Sequence, residues 1–211
     1  MAILNSTIAY SGRKKIGTMV LRTSKGQLIA SQHQPHVANP RSVGQMESRN
    51  KMRAIVESFR VVQSVVDVGM REFKKHRSKY NEYVSLNKTA NVIEVDNNWV
   101  VDYQTLQLTK GSLDLIENIS SSFSGGNVTI NYEGADFVVP KNANDEISYA
   151  IVAPSLNFST QAQFTTRNTA GTAAFNAGIF PTGTKFFVYG FAINNLNKRG
   201  SGTQFLSSYT A

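Results

Sequence analysis

The chain has 211 residues, 41% of them hydrophobic, a length that suits one large domain or two small ones with enough apolar material for a core. It contains no cysteine, which excludes a disulfide framework, a thiol nucleophile and any thiolate zinc site. The formal net charge of +8 points to an anionic partner, but that charge is unevenly spread. Residues 1–90 hold 16 Lys/Arg against 5 Asp/Glu, a net +11, whereas residues 91–211 hold 6 against 9, a net −3. Aromatic residues run the other way: Tyr10, Phe59, Phe73, Tyr80 and Tyr83 are the five that precede residue 91. The asymmetry predicts two modules, a basic hairpin-plus-helix module over 1–90 and a β domain over 91–211.

The opening residues carry no basic stretch followed by an apolar run, and apolar segments throughout are too short to span a bilayer. The expectation is a protein made and used in the cytoplasm or in a particle assembled there, with no membrane insertion. Ile16 to Arg22 alternates in the strand sense, Thr23-Ser24-Lys25-Gly26 reads as a tight turn, and Gln27-Leu28-Ile29-Ala30 returns as its partner. Asn39-Pro40 has the form of a helix start, a cap followed by proline at the first helical position. Val43, Met46, Met52, Ile55, Val56, Phe59, Val62 and Val66 then form an apolar stripe, with Arg41, Arg49, Lys51, Arg53 and Arg60 mostly off it. Gly69 is the expected stop. A second helix is predicted through Tyr80, Tyr83, Val84 and Leu86, capped by Ser78.

From residue 91 onward the texture changes to short apolar runs between turn residues. Strands are expected at 99–103, 106–109, 128–132, 147–152, 161–165, 185–192 and 205–209. Seven short strands at this spacing predict an antiparallel sandwich of immunoglobulin or fibronectin type III kind, so the fold class expected is α+β. The fibronectin version is preferred because cysteine is absent.

Several features carry family information when taken in order. They are Gly12 to Thr18, Asn39 to Arg41, Gln45 with Arg49, Val68-Gly69-Met70, Val101-Asp102-Tyr103, and Leu108 to Leu113. The ordered set resembles an uncharacterised family, a domain of unknown function of about this length, found in Bacteroidota and in their phages and prophages. The resemblance implies a non-enzymatic, virion-associated protein and brings no catalytic residues with it.

Candidate chemistry is sparse. His33, His36 and His76 lack neighbouring ligands in sequence and read as surface residues, so no metal and no cofactor is expected. Asp145-Glu146 and Asp114/Glu117 are paired carboxylates on paper, but they read as loop and strand-edge charges. Ser124-Gly125-Gly126-Asn127 reads as a hairpin turn rather than a phosphate cradle. Phe187, Tyr189 and Phe191 read as core. The interaction candidates are the cations Arg13, Lys14, Lys15, Arg49, Lys51, Arg53, Arg71, Lys74, Lys75, Arg77 and Lys79, with Phe73 and Tyr80 beside the last cluster as stacking platforms. Contact with neighbouring subunits is the preferred reading of these cations, ahead of a solvated face and of direct nucleic-acid binding. The functional expectation is a repeated structural subunit of a bacteriophage virion, such as a head–tail connector, tail ring or capsid-associated protein. The alternatives are a nucleic-acid-binding protein using the basic module and a host-surface or carbohydrate-binding module using the sandwich loops.

Overall fold

Two helices and antiparallel strands in several sheets make the chain α+β. The computed structural model describes residues 2–4, 14–36, 41–72, 77–88, 91–96, 98–134 and 144–211. The chain forms two compact units, Met1–Gln45 and Met46–Ala211. The second helix, and the first from Met46 onward, therefore belong to the same unit as the large sheets.

The first unit is a four-stranded antiparallel sheet of β1 (Ala2–Leu4), β2 (Lys14–Ile16), β3 (Met19–Ser24) and β4 (Gln27–Gln32), in the order β1-β4-β3-β2. Lys25 (φ 50°) and Gly26 (φ 77°) join β3 to β4, both with the positive φ that a two-residue hairpin turn of matching twist requires. The single strand expected from Ile16 to Arg22 is interrupted, because Gly17 at φ 60° reverses the chain between β2 and β3. Among the unit's described side chains only Leu28 and Ala30 are buried.

α1 spans Val43–Gly69. Asn39-Pro40 lies outside the described residues, and Arg41 and Ser42 are not helical, so the helix starts later than its sequence signal. The apolar stripe is buried only from Ala54 onward, through Ile55, Val62, Val65 and Val66. Val43, Met46 and Met52, expected on the core face, are exposed. The helix stops at Gly69, as expected, but not through a left-handed turn. A Cβ at Gly69 would overlap the Thr109 methyl group, so the glycine permits close packing. α2 (Lys79–Asn87) begins as expected, with the Ser78 hydroxyl accepting from the Asn81 backbone N–H at 3.1 Å.

β5 (Val92–Val95) and β6 (Asn98–Val101) form a two-stranded ribbon. β7 (Ile119–Ser124), β8 (Asn127–Tyr132) and β11 (Gly171–Asn176) make a three-stranded sheet. The turn between β7 and β8 is Gly125-Gly126, both at positive φ, in agreement with the hairpin reading. The largest sheet contains β9 (Glu146–Ala153), β10 (Phe158–Thr166), β12 (Lys185–Asn194), β13 (Arg199–Gly200) and β14 (Gln204–Thr210), in the order β10-β9-β12, with β13 and β14 both on β12.

β9 and β12 are buried almost end to end because both faces of their sheet are covered. On one face Ala150, Val152, Phe187, Tyr189, Phe191 and Ile193 share a core with Ile55, Val62, Val65 and Val66 of α1. On the other, Tyr149, Ile151, Ala153, Phe186 and Val188 pack on Val128 and Ile130 of the three-stranded sheet. The order is helix, sheet, sheet. The margins of the two sheets meet: the Ser121 and Tyr209 hydroxyls are 3.0 Å apart between β7 and β14, and Thr165 of β10 sits where a Cβ on Gly171 of β11 would be.

Leu106–Thr109 is not a strand, although Leu106 and Leu108 are buried as a strand's inward face would be. Side chains replace the ladder. The Gln107 N–H donates to Asn87 Oδ1, the Gln107 carbonyl accepts from Asn87 Nδ2, and the N–H groups of Leu108 and Thr109 both donate to Thr203 Oγ1 at 2.7 Å. The backbone groups are satisfied without a neighbouring strand. β5, β7 and β11 are strands that periodicity did not signal.

Candidate functional site

The basic residues that follow α1 converge on a junction between four segments: the end of α1, the start of α2, residues 108–113, and the hairpin around Gly200. Met70 bridges to Lys110 and Leu113 to Ser201. A Cβ on Gly111 would overlap the Gly200 carbonyl, so that approach requires glycine at 111, and a Cβ on Gly200 would stand 3.0 Å from the Gly69 carbonyl oxygen. Gly200 and Ser201 are buried, while residues 195–199 before them are exposed.

Glu82 of α2 is the buried anion of this junction. Its Oε2 accepts from Arg77 Nη1 at 3.1 Å and its Oε1 from Lys110 Nζ. The Lys110 hydrogen bond holds the Glu82 pKa below the usual carboxylate value, with burial opposing it and Arg77 assisting. Lys79 Nζ donates to the Asp67 carbonyl in the last turn of α1, where a cation both satisfies an orphan acceptor and complements the helix dipole. Arg71 Nη2 donates to Asn195 Oδ1 at 3.0 Å, and the Asn195 amide donates to Glu146. The Glu72 carboxylate accepts from the Ser112 N–H and hydroxyl.

Arg71, Arg77 and Lys79 are therefore engaged with groups of their own chain. Lys74, Lys75 and His76 lie outside the described residues, as do Arg13 and Phe73. Tyr80 packs edge-on against Phe59, with ring centroids 5.0 Å apart, in place of the base stacking considered for it. Lys14 and Lys15 lie on β2 in the first unit, Lys15 exposed. Arg49 and Arg53 are exposed on α1, while the Lys51 ammonium sits 4.1 Å from the centroid of Trp99. Among the described residues, Lys14 and Lys15 belong to the first unit and Arg49, Lys51, Arg53, Arg71, Arg77 and Lys79 to the second.

Trp99 belongs to the inner face of the β5–β6 ribbon, with Val92 and Val101, against the core that includes α1. The outer face carries Ile93, Val95 and Val100, which are 45%, 46% and 39% exposed. Ile93 and Val100 are directly opposed in the register, and Val95 follows on the same face. Glu94, Asp96 and Asp102 lie in the same stretch, and residues 91–109 contain no Lys or Arg. Those three carboxylates account for the whole −3 of residues 91–211, because residues 110–211 hold 6 Lys/Arg and 6 Asp/Glu. The ribbon is apolar outside, acidic, and separate from the large sheets. Sequence reading found β6 but missed β5, which has only four residues.

An open hollow of about 250 Å³ between α1 and the ribbon is lined by Glu57, Ser58, Trp99, Tyr103 and Pro154. The Ser58 hydroxyl is already paired with Tyr83 OH at 2.7 Å, so the hollow assembles no nucleophile with a base. Among the described residues no group of three His, Asp or Glu side chains is placed to hold a metal. Asp145, expected as a loop or strand-edge charge, lies just before β9 but is buried, and faces Arg167 Nε at 3.3 Å, with Asn194 donating to its other oxygen. That pair fastens the sheet margins rather than forming an acid–base couple.

Residues 11–189 match the model of a family of unknown function, DUF6266. The chain belongs to that family. No curated protein and no solved structure matches it. The DUF6266 span takes in both helices, residues 108–113 and the ribbon, and ends inside β12, before the Gly200 hairpin. Among the described residues, no helix is long and apolar enough to cross a membrane.

Proposed function

We propose that this protein is a non-enzymatic assembly subunit, a repeated component of a larger particle. The most concrete form of the proposal is a bacteriophage virion component such as a head–tail connector, tail ring or capsid-associated protein. The observation that carries the assembly reading is the outer face of the β5–β6 ribbon. Three aliphatic side chains exposed together on one face, in a stretch whose charged residues are all carboxylates, fit a protein–protein contact better than a solvated edge. Native mass spectrometry of the full chain over a range of concentrations tests it. Closed oligomers or higher assemblies are expected, and a strict monomer at every concentration sinks the reading. Portal, terminase or tail genes flanking its gene are expected for the virion form.

The same reading takes the β region as a fibronectin type III-like sandwich. Its seven longer strands from β7 onward divide as first, second and fifth against fourth, third, sixth and seventh, which is the arrangement such domains use. On this view the sandwich starts at Ile119, and α1 covers a sheet face that would otherwise be open.

Nucleic-acid binding through the basic module is the second reading. It is favoured by the first unit, where residues 1–45 hold 6 Lys/Arg and no Asp/Glu. An electrophoretic shift that weakens steeply with salt is its expected signature, and no shift at micromolar protein removes it.

A further inference from the structure

We infer that the outer face of the β5–β6 ribbon is the docking site for the basic N-terminal unit, Met1–Gln45, of a second copy of this chain. The inference rests on the assembly reading and names its contact surfaces. Two observations made on different parts of the chain point to the same pairing.

The first is the thinness of the N-terminal unit. A four-stranded single sheet needs a covered apolar face to be stable. Of this unit's described side chains, Leu28 and Ala30 are buried, while Met19, on the same face by register, is 46% exposed. Among the unit's described side chains, Met19 leaves apolar surface uncovered on the face that Leu28 and Ala30 share. The ribbon has the reciprocal need, with Ile93, Val95 and Val100 facing outward on a two-stranded element. Apolar surface on both sides supplies the attraction.

The second is the segregation of charge. Residues 1–45 carry +6 without a single carboxylate, and residues 91–109 carry −3 without a single Lys or Arg. No other stretch compares: residues 46–90 mix 10 Lys/Arg with 5 Asp/Glu, and residues 110–211 balance at zero. Opposite potentials on two exposed apolar surfaces steer encounter and set register. The contact joins two different surfaces, one copy's arm on the next copy's ribbon, so it closes either reciprocally as a dimer or head to tail as a ring or open array.

The test uses the full chain as an equal mixture of copies with natural and heavy nitrogen, cross-linked by a carbodiimide that joins lysine amines to carboxylates without a spacer. Mixed-isotope links between a lysine of residues 1–45 and Glu94 or Asp96 are expected, and they decline as salt is raised. The doubly substituted chain Ile93→Ser, Val95→Ser is expected to associate about tenfold more weakly or worse. These side chains are exposed, so its melting temperature stays near that of the parent. A second variant, Glu94→Gln with Asp96→Asn, keeps shape and also keeps a residue tolerant of the positive φ at position 96. It is expected to weaken association and flatten its salt dependence. Links confined to copies of one isotope, or variants that associate like the parent, overturn the inference while the assembly reading stands on the association itself. A chain that stays monomeric overturns both.

Discussion

Gly69 and Thr109 approach so closely that a Cβ on the glycine would stand 3.0 Å from the threonine Cβ and overlap its methyl group. Helix propensity alone favours alanine over glycine by roughly 1 kcal/mol. The overlap opposes this, and Thr109 is fixed by its hydrogen bonds to Thr203. Gly69→Ala is therefore expected to destabilise the protein by about 2 kcal/mol in chemical denaturation. Thr109→Ser removes the methyl group and keeps the hydroxyl. The double variant is expected to be more stable than the sum of the singles by about 1 kcal/mol. Additive losses would mean that the helix ends at Gly69 for another reason.

Glu82 makes the junction sensitive to acid. Its pKa is lowered in the folded chain, so the stability it contributes is present in full above the ordinary value of 4.5 and is lost as pH falls through the lower folded value. Glu82→Gln is expected to cost about 1–2 kcal/mol at neutral pH, since Arg77 and Lys110 are both partly exposed and recover solvent. Denaturation midpoints measured from neutral to acidic pH should fall less steeply for the variant than for the parent.

At alkaline pH the tyrosines set the limit. Burial pushes Tyr103 up to about 12, and burial raises Tyr83 and Tyr189 as well. The unfolded chain ionises these phenols near 10, so rising pH favours unfolding, and their contribution disappears as pH climbs from about 10 through the folded values. Phenolate absorbance should therefore rise in two stages, the second coinciding with loss of the β-sheet circular dichroism signal. A single stage completed before unfolding would show that these rings are open to solvent.

Asp145 and Arg167 join the start of β9 to the turn after β10, and Arg167 also donates to the carbonyls of Asp114 and Leu115. Asp145→Ala leaves a buried guanidinium without its counter-charge, at an expected cost of about 3–5 kcal/mol. Replacing both residues, Asp145→Ala with Arg167→Met, should recover part of that loss. Thermal melts of the two variants distinguish this outcome from a surface pair, for which either change would be nearly neutral.

Much of the β architecture was legible in the sequence because strands such as β8, β9 and β12 combine aromatic and β-branched residues between turn signals. The Ser78 cap and the Gly125-Gly126 turn were readable for the same local reasons. What was not legible is non-local. Val43, Met46 and Met52 continue the stripe of α1, but nothing in their spacing says that burial along the helix begins only at Ala54. Leu106–Thr109 has a strand's pattern, and only Asn87 and Thr203, distant in sequence, explain why it is not one. The basic cluster read as a surface because its anions and acceptors, Glu82, the Asp67 carbonyl and Asn195, are invisible as partners until the chain is folded.

The central position of β9 and β12 also bears on how the protein folds. β9 finds β10 across a short turn, but it meets β12 only after the intervening chain has contributed β11 to the opposite sheet. α1 reaches its sheet across a still longer loop, as the Ser64–Ser159 hydrogen bond spans 95 residues. Contacts of this separation demand loop closure before they return any stabilisation. The rate-limiting step of folding should therefore be the insertion of β12 between a preformed β9–β10 hairpin and β14. Substitutions in β12 should then slow folding, whereas those in the ribbon should act mainly on unfolding.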